Sequence, residues 1–352
     1  MKNITLNLIF ILFAFISISS YSSISVQGVN YYSKSEIENK GFDETGGLLK
    51  IQSHKFRLED DYVESDGVKM SFQKIIFKKN GQKYYNSFFI DGLKNADLKN
   101  SGKLKRIISL SPGVTEKIYD LKMEDALVGR TSFCKYPKEA SKIESMGSLM
   151  EPNLEKVMSK KPQIVLMESH YNQSFVKKLK SIGIKYLVYQ TPKSVEEMYK
   201  EYIEISRVIG VPERGVIVSA DLKSRVASYL YKNKNIQKKP KVYFVVGAGN
   251  GEYTAGKNTF IDDLIKISGG INIAGNKNGW KYSLEELIVN DPNYIIGGRN
   301  NVNIIKKSHE YKPLSAVKKD KIYEIEEHVF VLPGARAIKE GVPRLMNIFN
   351  DN

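Results

Sequence analysis

Few side chains in this sequence could carry catalysis or bind a metal. It has a single cysteine, Cys134, and four histidines. One cysteine excludes an internal disulfide and a zinc site built from thiolates, so metal ligands would have to be histidine, carboxylate or tyrosine side chains. No nucleophile elbow, phosphate loop or metalloprotease helix occurs, and Gly247–Gly251 lacks the third glycine of a dinucleotide-binding turn because position 252 is glutamate. The sequence therefore favours a protein without catalytic activity.

Aromatic, histidine and arginine side chains occur in polar, glycine-rich loops that follow predicted strands. Ligands in α/β sheets bind beyond the carboxyl ends of the strands. Trp280 would offer a flat ring to a large ligand, and Tyr253 lies beside glycines that permit a close approach. Core packing is the alternative for any single aromatic ring. The predicted ligand-binding residues are Phe133, His170, Tyr171, Tyr253, Trp280, Arg299 and Arg336.

The elements that position these loops alternate between strands and helices. Between residues 104 and 192 short strands and helices follow one another, which is typical of a mostly parallel sheet with helices on both faces. Between residues 194 and 234 apolar residues recur at helical spacing around the break Gly210-Val211-Pro212, which predicts two consecutive helices, the second of them long. The alternation resumes from Lys241. The predicted fold class is α/β, with two Rossmann-like lobes joined by a single long helix, a ligand cleft between them, and a small β-rich domain in front.

The β-rich segment consists of short strand-like pieces separated by turn residues. Asp66-Gly67 and Asn80-Gly81 are strong signals for tight turns, and Phe88–Ile90 is predicted as a further strand. The predicted organisation is a signal peptide at 1–28, an accessory β-rich domain at 29–100, a first lobe at 104–192, connecting helices at 193–238 and a second lobe at 239–352.

A short motif recurs in the two predicted lobes. Leu154–Met158 is followed by Pro162 and a strand, and Leu284–Ile288 is followed by Pro292 and a strand, with the same offset of 130 positions throughout. A short helix, a proline and a strand thus occupy equivalent places in both halves. This repeat predicts a duplicated scaffold.

The first residues are typical of a secretory signal. Lys2 precedes an apolar run, Leu8 to Ile18, and then the small polar stretch from Ser19 to Ser23. Eleven residues cover only about 16 Å of helix, which is too short to span a bilayer. We expect the mature protein to begin between Ser20 and Val29. No cysteine lies near the cleavage site to carry a lipid, which predicts a freely diffusing periplasmic protein.

The chain carries a formal net charge of +15, which allows an anionic partner but does not identify one. The lysines are scattered in pairs such as Lys78-Lys79 and Lys318-Lys319 rather than gathered in one block. A solvated basic surface is the simplest explanation of that pattern. We expect no nucleic-acid partner.

The loop sequences and the repeated motif together resemble the class III substrate-binding proteins of ABC importers, which are the periplasmic binders of iron-siderophores, haem and cobalamin. The stretches that carry the resemblance are Ser109–Glu116, Gly129–Pro137, Leu332–Arg336 and the two Leu-Glu helices. The resemblance covers residues 104 to 350 and is specific in its combination of motifs. It implies two lobes connected by a rigid helix, with the ligand in the cleft between them.

The resemblance also implies a function. The chain would be a monomeric, non-enzymatic periplasmic component of an ABC importer, without a cofactor, that captures an iron-siderophore, haem or cobalamin and delivers it to a permease dimer with its ATPase. Glu155 and Glu285 would dock on the two halves of that permease, whereas favourable interaction with the helix dipole is the structural alternative for this pair. The expected cargo is a tetrapyrrole or an iron-siderophore, because a cationic surface and arginines in the cleft would suit haem propionates or anionic siderophores. Cobalamin needs mainly aromatic walls, and this sequence is less rich in them. If iron is ligated directly, His170 and Tyr253 are the expected metal ligands.

A second hypothesis gives the binding role to the β-rich segment. That segment loosely resembles the N-terminal β domain of copper amine oxidases, although no residue in it carries a chemical signature. The chain would then be a cell-envelope adhesion or scaffolding protein with structural lobes. The two hypotheses differ in whether the cleft binds a ligand.

Overall fold

The computed structural model describes residues 24–39, 43–45, 48–51, 54–58, 62–65, 67–71, 76–95, 98, 102–169, 171–249 and 251–350. The chain divides into two compact units, one ending at Asn95 and the other beginning at Ala96. Most of the predicted signal peptide, residues 1–23, and the predicted site residue His170 lie outside the described residues. Within the described ranges, no helix is long and apolar enough to cross a membrane.

The first unit contains antiparallel sheets. Its described strands are β1 (Ile24–Val26), β2 (Val29–Ser33), β3 (Asp43–Thr45), β4 (Leu48–Ile51), β5 (His54–Leu58), β6 (Tyr62–Ser65), β7 (Val68–Ser71), β8 (Ile76–Lys79) and β9 (Gln82–Asn86), and its helices are α1 (Lys34–Asn39) and α2 (Ser87–Asn95). One sheet has the order β1-β2-β9-β8 and the other β3-β4-β5-β6-β7. Strands β8 and β9 pair Lys79 with Gln82 across Asn80-Gly81, whose φ angles are both positive, which confirms this predicted tight turn.

The strand predicted at Phe88–Ile90 was wrong, because these residues belong to helix α2. Asn86 accepts a hydrogen bond from the Phe89 amide at 3.2 Å and so begins the helix. Phe89, Ile90 and Leu93 are fully buried on one side of it. A short apolar run is equally consistent with a buried strand or a buried helix, and here the side-chain cap decides between them.

The first lobe of the second unit is built on a parallel sheet. Its strands are β10 (Ile107–Ser109), β11 (Leu127–Arg130), β12 (Ile164–Glu168) and β13 (Tyr186–Tyr189), and its helices are α3 (Pro112–Asp120), α4 (Leu154–Ser159) and α5 (Gln173–Ser181). The strand order is β11-β10-β12-β13, and every neighbouring pair is parallel. The carboxyl ends of all four strands therefore meet at one edge, where their loops lie together.

Two consecutive helices connect the lobes, α6 (Val195–Val208) and α7 (Pro212–Asn233), as predicted. The 22 residues of α7 span about 33 Å at 1.5 Å per residue. A Cβ atom at Gly215 would lie 2.8 Å from the Tyr202 carbonyl oxygen, so this glycine allows the two helices to pack closely.

The second lobe has a mixed sheet in the order β17-β15-β14-β18-β19, with β16 also paired to β14. Its strands are β14 (Lys241–Gly247), β15 (Glu252–Thr254), β16 (Ile271–Asn272), β17 (Lys281–Tyr282), β18 (Tyr294–Gly297) and β19 (Ile322–Glu324), and its helices are α8 (Phe260–Ile267), α9 (Leu284–Asn290), α10 (Arg299–Lys307), α11 (Ser315–Lys318), α12 (Glu327–Val331) and α13 (Val342–Asn350). The pairs β14–β18 and β18–β19 are parallel. A π-helical turn, Ala337–Gly341, precedes α13.

The structure confirms the predicted duplication, because helices α4 and α9 begin 130 positions apart and end on equivalent turns. Lys161 and Asp291, also 130 positions apart, both have positive φ angles of 45° and 39°. The equivalence extends to the following strands. The Gln163 side chain accepts a hydrogen bond from the Lys105 amide at 2.7 Å, and the Asn293 side chain accepts one from the Lys241 amide at 2.7 Å.

Candidate functional site

The loop after β11 exposes an aromatic ring at the carboxyl edge of the first lobe. Cys134 is fully buried there, and the Thr115 hydroxyl donates a hydrogen bond to its Sγ at 3.1 Å. Burial raises the pKa of the Cys134 thiol, so it stays protonated. The neighbouring Phe133 is 60% exposed. The buried thiol therefore fixes a loop whose phenylalanine is free to contact a ligand.

A buried charged network holds the other loops of this edge. Lys117 on α3 is fully buried and lies 3.0 Å from a carboxylate oxygen of Glu201 on α6 and 3.8 Å from one of Glu168 at the end of β12. The Ser111 hydroxyl donates a hydrogen bond to Glu168. Burial lowers the pKa of Lys117, but Glu201 and Glu168 outweigh it and raise the pKa above its usual value. The network ties the loops after β10 and β12 to the connecting helix.

In the second lobe, hydroxyl groups hold the equivalent edge. Glu252 is buried, and it accepts hydrogen bonds from the Tyr243 hydroxyl at 2.8 Å and the Tyr311 hydroxyl at 2.5 Å. The Tyr311 oxygen also accepts a hydrogen bond from the Gly249 amide at 3.2 Å. Because side chains alternate along a strand, Tyr253 next to Glu252 points outward and is 39% exposed. These contacts fix the loop after β14 and the predicted ligand ring.

Trp280 is exposed beside this loop. The Thr254 amide donates to its carbonyl oxygen at 2.8 Å, and the ring is 47% exposed. Tyr253 pairs with Lys281, the residue that follows Trp280 in the chain. Two exposed rings therefore lie on neighbouring segments of the second lobe.

Arg299 lies at the carboxyl edge of the second lobe. It begins α10, directly after β18, and its side chain is 75% exposed. Its Nε donates to a carboxylate oxygen of Glu324 at 2.8 Å. The structure thus places Arg299 on the predicted side of the sheet, paired with an acid rather than free.

Arg336 joins the two lobes. It is 7% exposed, its Nη2 lies 3.5 Å from a carboxylate oxygen of Glu116 on α3, and its guanidinium lies 3.9 Å from the centre of the Tyr136 ring. The Tyr136 hydroxyl donates to Glu340 at 3.4 Å. Tyr136 and Glu116 belong to the first lobe, whereas Arg336 and Glu340 belong to the second. We call these four residues the lobe junction.

One carboxyl group of the lobe junction, that of Glu116, has a pKa near neutral. Burial raises the pKa of Glu116 to about 7, although Arg336 opposes this increase. Burial likewise raises the pKa of Glu201 in the charged network to about 7, opposed by Lys117. Two buried carboxyl groups thus change charge near pH 7, a pH at which most carboxyl groups are fully ionised.

A pocket of about 410 Å³ opens beside the lobe junction. Its charged lining residues are Glu324, Glu326, Glu340 and Arg344. Glu324 also pairs with Arg299, so nearby arginines partly balance the carboxylates of this pocket.

The remaining predicted residues are placed as follows. Tyr171 packs partly buried against the core of the first lobe. Glu155 and Glu285 are both exposed, each at the second residue of its helix. In the part of the chain that the structure describes, no group of three or more histidine, cysteine, aspartate or glutamate side chains could hold a metal ion.

Sequence reasoning missed three residues that organise the site. Tyr136 and Glu116 hold the lobe junction, and Lys117 holds the charged network. All lie in or beside the stretches that follow the first two strands. Consecutive charged residues in the helix that follows the buried strand β10 are the signal that could have revealed Glu116 and Lys117. Tyr136 carries no such local signal.

The fold and these loops belong to one class of protein. A family model described as a periplasmic binding protein matches residues 107–329, and the chain is a member of that family. The first unit lies outside this match.

Three known proteins illustrate the relationship. The chain is 32% identical over 263 residues to an uncharacterized ABC transporter substrate-binding lipoprotein, YvrC, of Bacillus subtilis, covering 73% of this chain and 83% of the relative. It is 30% identical over 201 residues to a cobalamin-binding protein of Halobacterium salinarum, and this match spans 55% of this chain and 54% of the relative. The crystal structure of a possible iron-binding periplasmic solute-binding protein from Staphylococcus epidermidis aligns with a TM-score of 0.64 at 26% identity, over 70% of this chain and 99% of that one.

Proposed function

We propose that this periplasmic binding protein captures a metal chelate between its lobes and delivers it to an ABC permease. The observation that carries the proposal is the exposure of aromatic rings on loops fixed at the carboxyl edges of both lobes, Phe133 in the first and Tyr253 in the second. Buried contacts hold each loop, so the rings are preorganised for a flat ligand. Family membership supports this transport role over the adhesion hypothesis.

Among the chelates, we favour a corrinoid such as cobalamin. Its cobalt already has its ligands and its edge carries neutral amides, so it needs aromatic contacts rather than a metal-binding cluster. The name of the halobacterial relative points the same way. Haem and ferric siderophores remain the comparison ligands, with Tyr253 as the candidate iron ligand among the described residues.

Delivery requires a partner, and we propose a permease dimer with its ATPase. Glu155 and Glu285 occupy equivalent exposed positions, one in each lobe, and are well placed to meet cationic residues on two permease halves. Placing the docking charges on a duplicated helix suits a symmetric partner.

We also propose that the chain is exported and that the signal is removed before Ile24. Strand β1 pairs Ile24 with Tyr31 in the first unit, so a cut near Gly28 would remove a strand from the sheet. N-terminal sequencing of the exported protein tests this. A mature chain that starts after Val26, or that keeps Met1 in the membrane fraction, would contradict it.

The ligand proposal is tested on protein purified from its natural host. We expect a corrinoid absorption spectrum and about one cobalt per chain, and tight binding of cyanocobalamin to the ligand-free protein. Haem and a ferric siderophore should bind more weakly in parallel titrations. If the protein carries no chelate and binds none of the three, the cleft has another role.

A further inference from the structure

The two duplicated helices expose more than a carboxylate. Three residues after each docking glutamate lies a large apolar side chain, Met158 on α4 and Ile288 on α9, 47% and 39% exposed. Residues three apart on a helix share one face. Met158 and Ile288 are themselves 130 positions apart, so the pairs Glu155/Met158 and Glu285/Ile288 are equivalent. We call these the paired docking patches.

The scaffold fixes both patches in the same way. Asn153 caps α4 by accepting a hydrogen bond from the Lys156 amide at 2.9 Å, and Ser283 caps α9 by accepting one from the Glu286 amide at 3.0 Å. Between each glutamate and its apolar neighbour lies a fully buried residue, Val157 or Leu287. Because Val157 and Leu287 pack each helix against its lobe, Met158 and Ile288 remain exposed on the solvent side.

The carboxylates of both patches are available to a partner. The next residue in each helix is engaged in an ion pair, Lys156 with Glu144 and Glu286 with Lys277. Glu155 and Glu285 themselves make no ion pair and no side-chain hydrogen bond with any described residue. Each patch therefore presents one free negative charge and one exposed apolar side chain.

We infer that Met158 and Ile288 are docking residues, which extends the proposed docking of Glu155 and Glu285 and rests on it. Each side chain fills an apolar recess beside a cationic residue on one half of the two-fold symmetric permease dimer. Exposed apolar side chains at both equivalent positions have no role in either lobe core, and a symmetric partner matches them in pairs. Apolar burial supplies affinity, while the charges orient the encounter.

The test compares three double variants of the full chain for binding to the permease–ATPase complex in nanodiscs. Met158→Gln with Ile288→Gln should weaken binding about tenfold at every salt concentration, because the apolar contribution is not screened. Glu155→Gln with Glu285→Gln should also weaken binding, and the salt dependence should become flatter. The matched control is Leu230→Gln with Ile271→Gln, which removes two apolar side chains each 48% exposed and should change neither property.

The outcomes separate this inference from the docking proposal. If the apolar variant binds like wild type while the glutamate variant is weakened, the apolar role is wrong and glutamate docking stands. If both variants bind like wild type, the docking proposal itself fails. All three double variants should unfold at the same temperature as wild type, which excludes misfolding as the cause of weaker binding. The single variants Met158→Gln and Ile288→Gln test the symmetry. A loss of binding in only one of them would contradict the symmetric arrangement.

Discussion

The two lobes share a helix, a left-handed residue and a strand at equivalent positions, yet they hold their carboxyl-edge loops by different chemistry. In the first lobe, Lys117 binds Glu168 and Glu201 inside the protein. In the second, tyrosine hydroxyls donate to the buried Glu252. The first arrangement depends on a buried lysine and two carboxylates, and burial raises the pKa of one of them, Glu201, to about 7. The second depends on neutral hydroxyl donors. The two lobes thus share the same helix, left-handed residue and strand, but each fixes the loops at its carboxyl edge with its own contacts.

The largest effect is expected from Lys117→Met. Removing the only cation of the charged network leaves two carboxylates in a buried site, which should lower the free energy of unfolding by about 3–5 kcal/mol. Urea denaturation followed by the fluorescence of the single tryptophan, Trp280, measures it. The matched control is Lys223→Met. The partly exposed Lys223 ammonium lies 3.8 Å from Glu196, so its removal should lower the free energy of unfolding by less than about 1 kcal/mol. A loss at Lys117 no greater than the control would show that the network does not stabilise the first lobe.

Next in size is the loss of a ligand ring. If each ring stacks on the chelate, Tyr253→Ala and Trp280→Ala should each weaken binding by about 1–3 kcal/mol. We expect the larger loss from Tyr253→Ala, because hydrogen bonds to the buried Glu252 fix the loop beside Tyr253. Isothermal titration of both variants measures the two losses. Wild-type affinity in the Tyr253 variant would show that this ring does not contact the ligand.

Tyr311→Phe should have a smaller effect on ligand binding than removal of a ring. The variant removes one donor to Glu252 and leaves the Gly249 amide without its acceptor, a cost of about 1–3 kcal/mol in unfolding free energy. The loop after β14 should loosen, so ligand affinity should fall as well. Tyr189→Phe is the control, because the buried Tyr189 hydroxyl has no hydrogen-bond partner among the described residues. Wild-type affinity in the Tyr311 variant would show that the loop needs no such support.

The smallest effect concerns pH at the lobe junction. Burial raises the pKa of Glu116 to about 7, so the folded protein binds more protons than the unfolded chain between the ordinary carboxyl pKa and pH 7. The contribution of Glu116 to stability is therefore present at low pH and is lost as pH rises through 7. Glu116→Gln should flatten the decline of unfolding free energy between pH 5 and pH 8. An identical pH profile in the variant would show that Glu116 is ionised throughout.

Much of the second unit is predictable because its signals are local. Alternating apolar runs, the break at Gly210-Val211-Pro212 and the repeated Leu-Glu helix each depend on a few neighbouring residues, and the structure confirms them. The helix at Ser87–Asn95 was missed because one polar cap outweighs an ambiguous apolar run.

The candidate site was predictable only in outline. Loops after strands can be found from the sequence, and this places Phe133, Tyr253 and Arg299 at the expected edges. The partners of Arg336 cannot be found in this way, since Glu116 lies 220 positions earlier and meets it only when the lobes come together. The pairing of Tyr253 with Lys281 likewise depends on a strand register that no local signal fixes.

The central claim is that one ligand contacts both lobes at once. Its most direct test is a titration of the chelate that co-purifies with the protein against Phe133→Ala, Tyr253→Ala and the double variant. We predict that each single variant weakens binding by about 1–3 kcal/mol and that the double variant is weaker than either. Wild-type affinity in either single variant would contradict a ligand held between the two lobes.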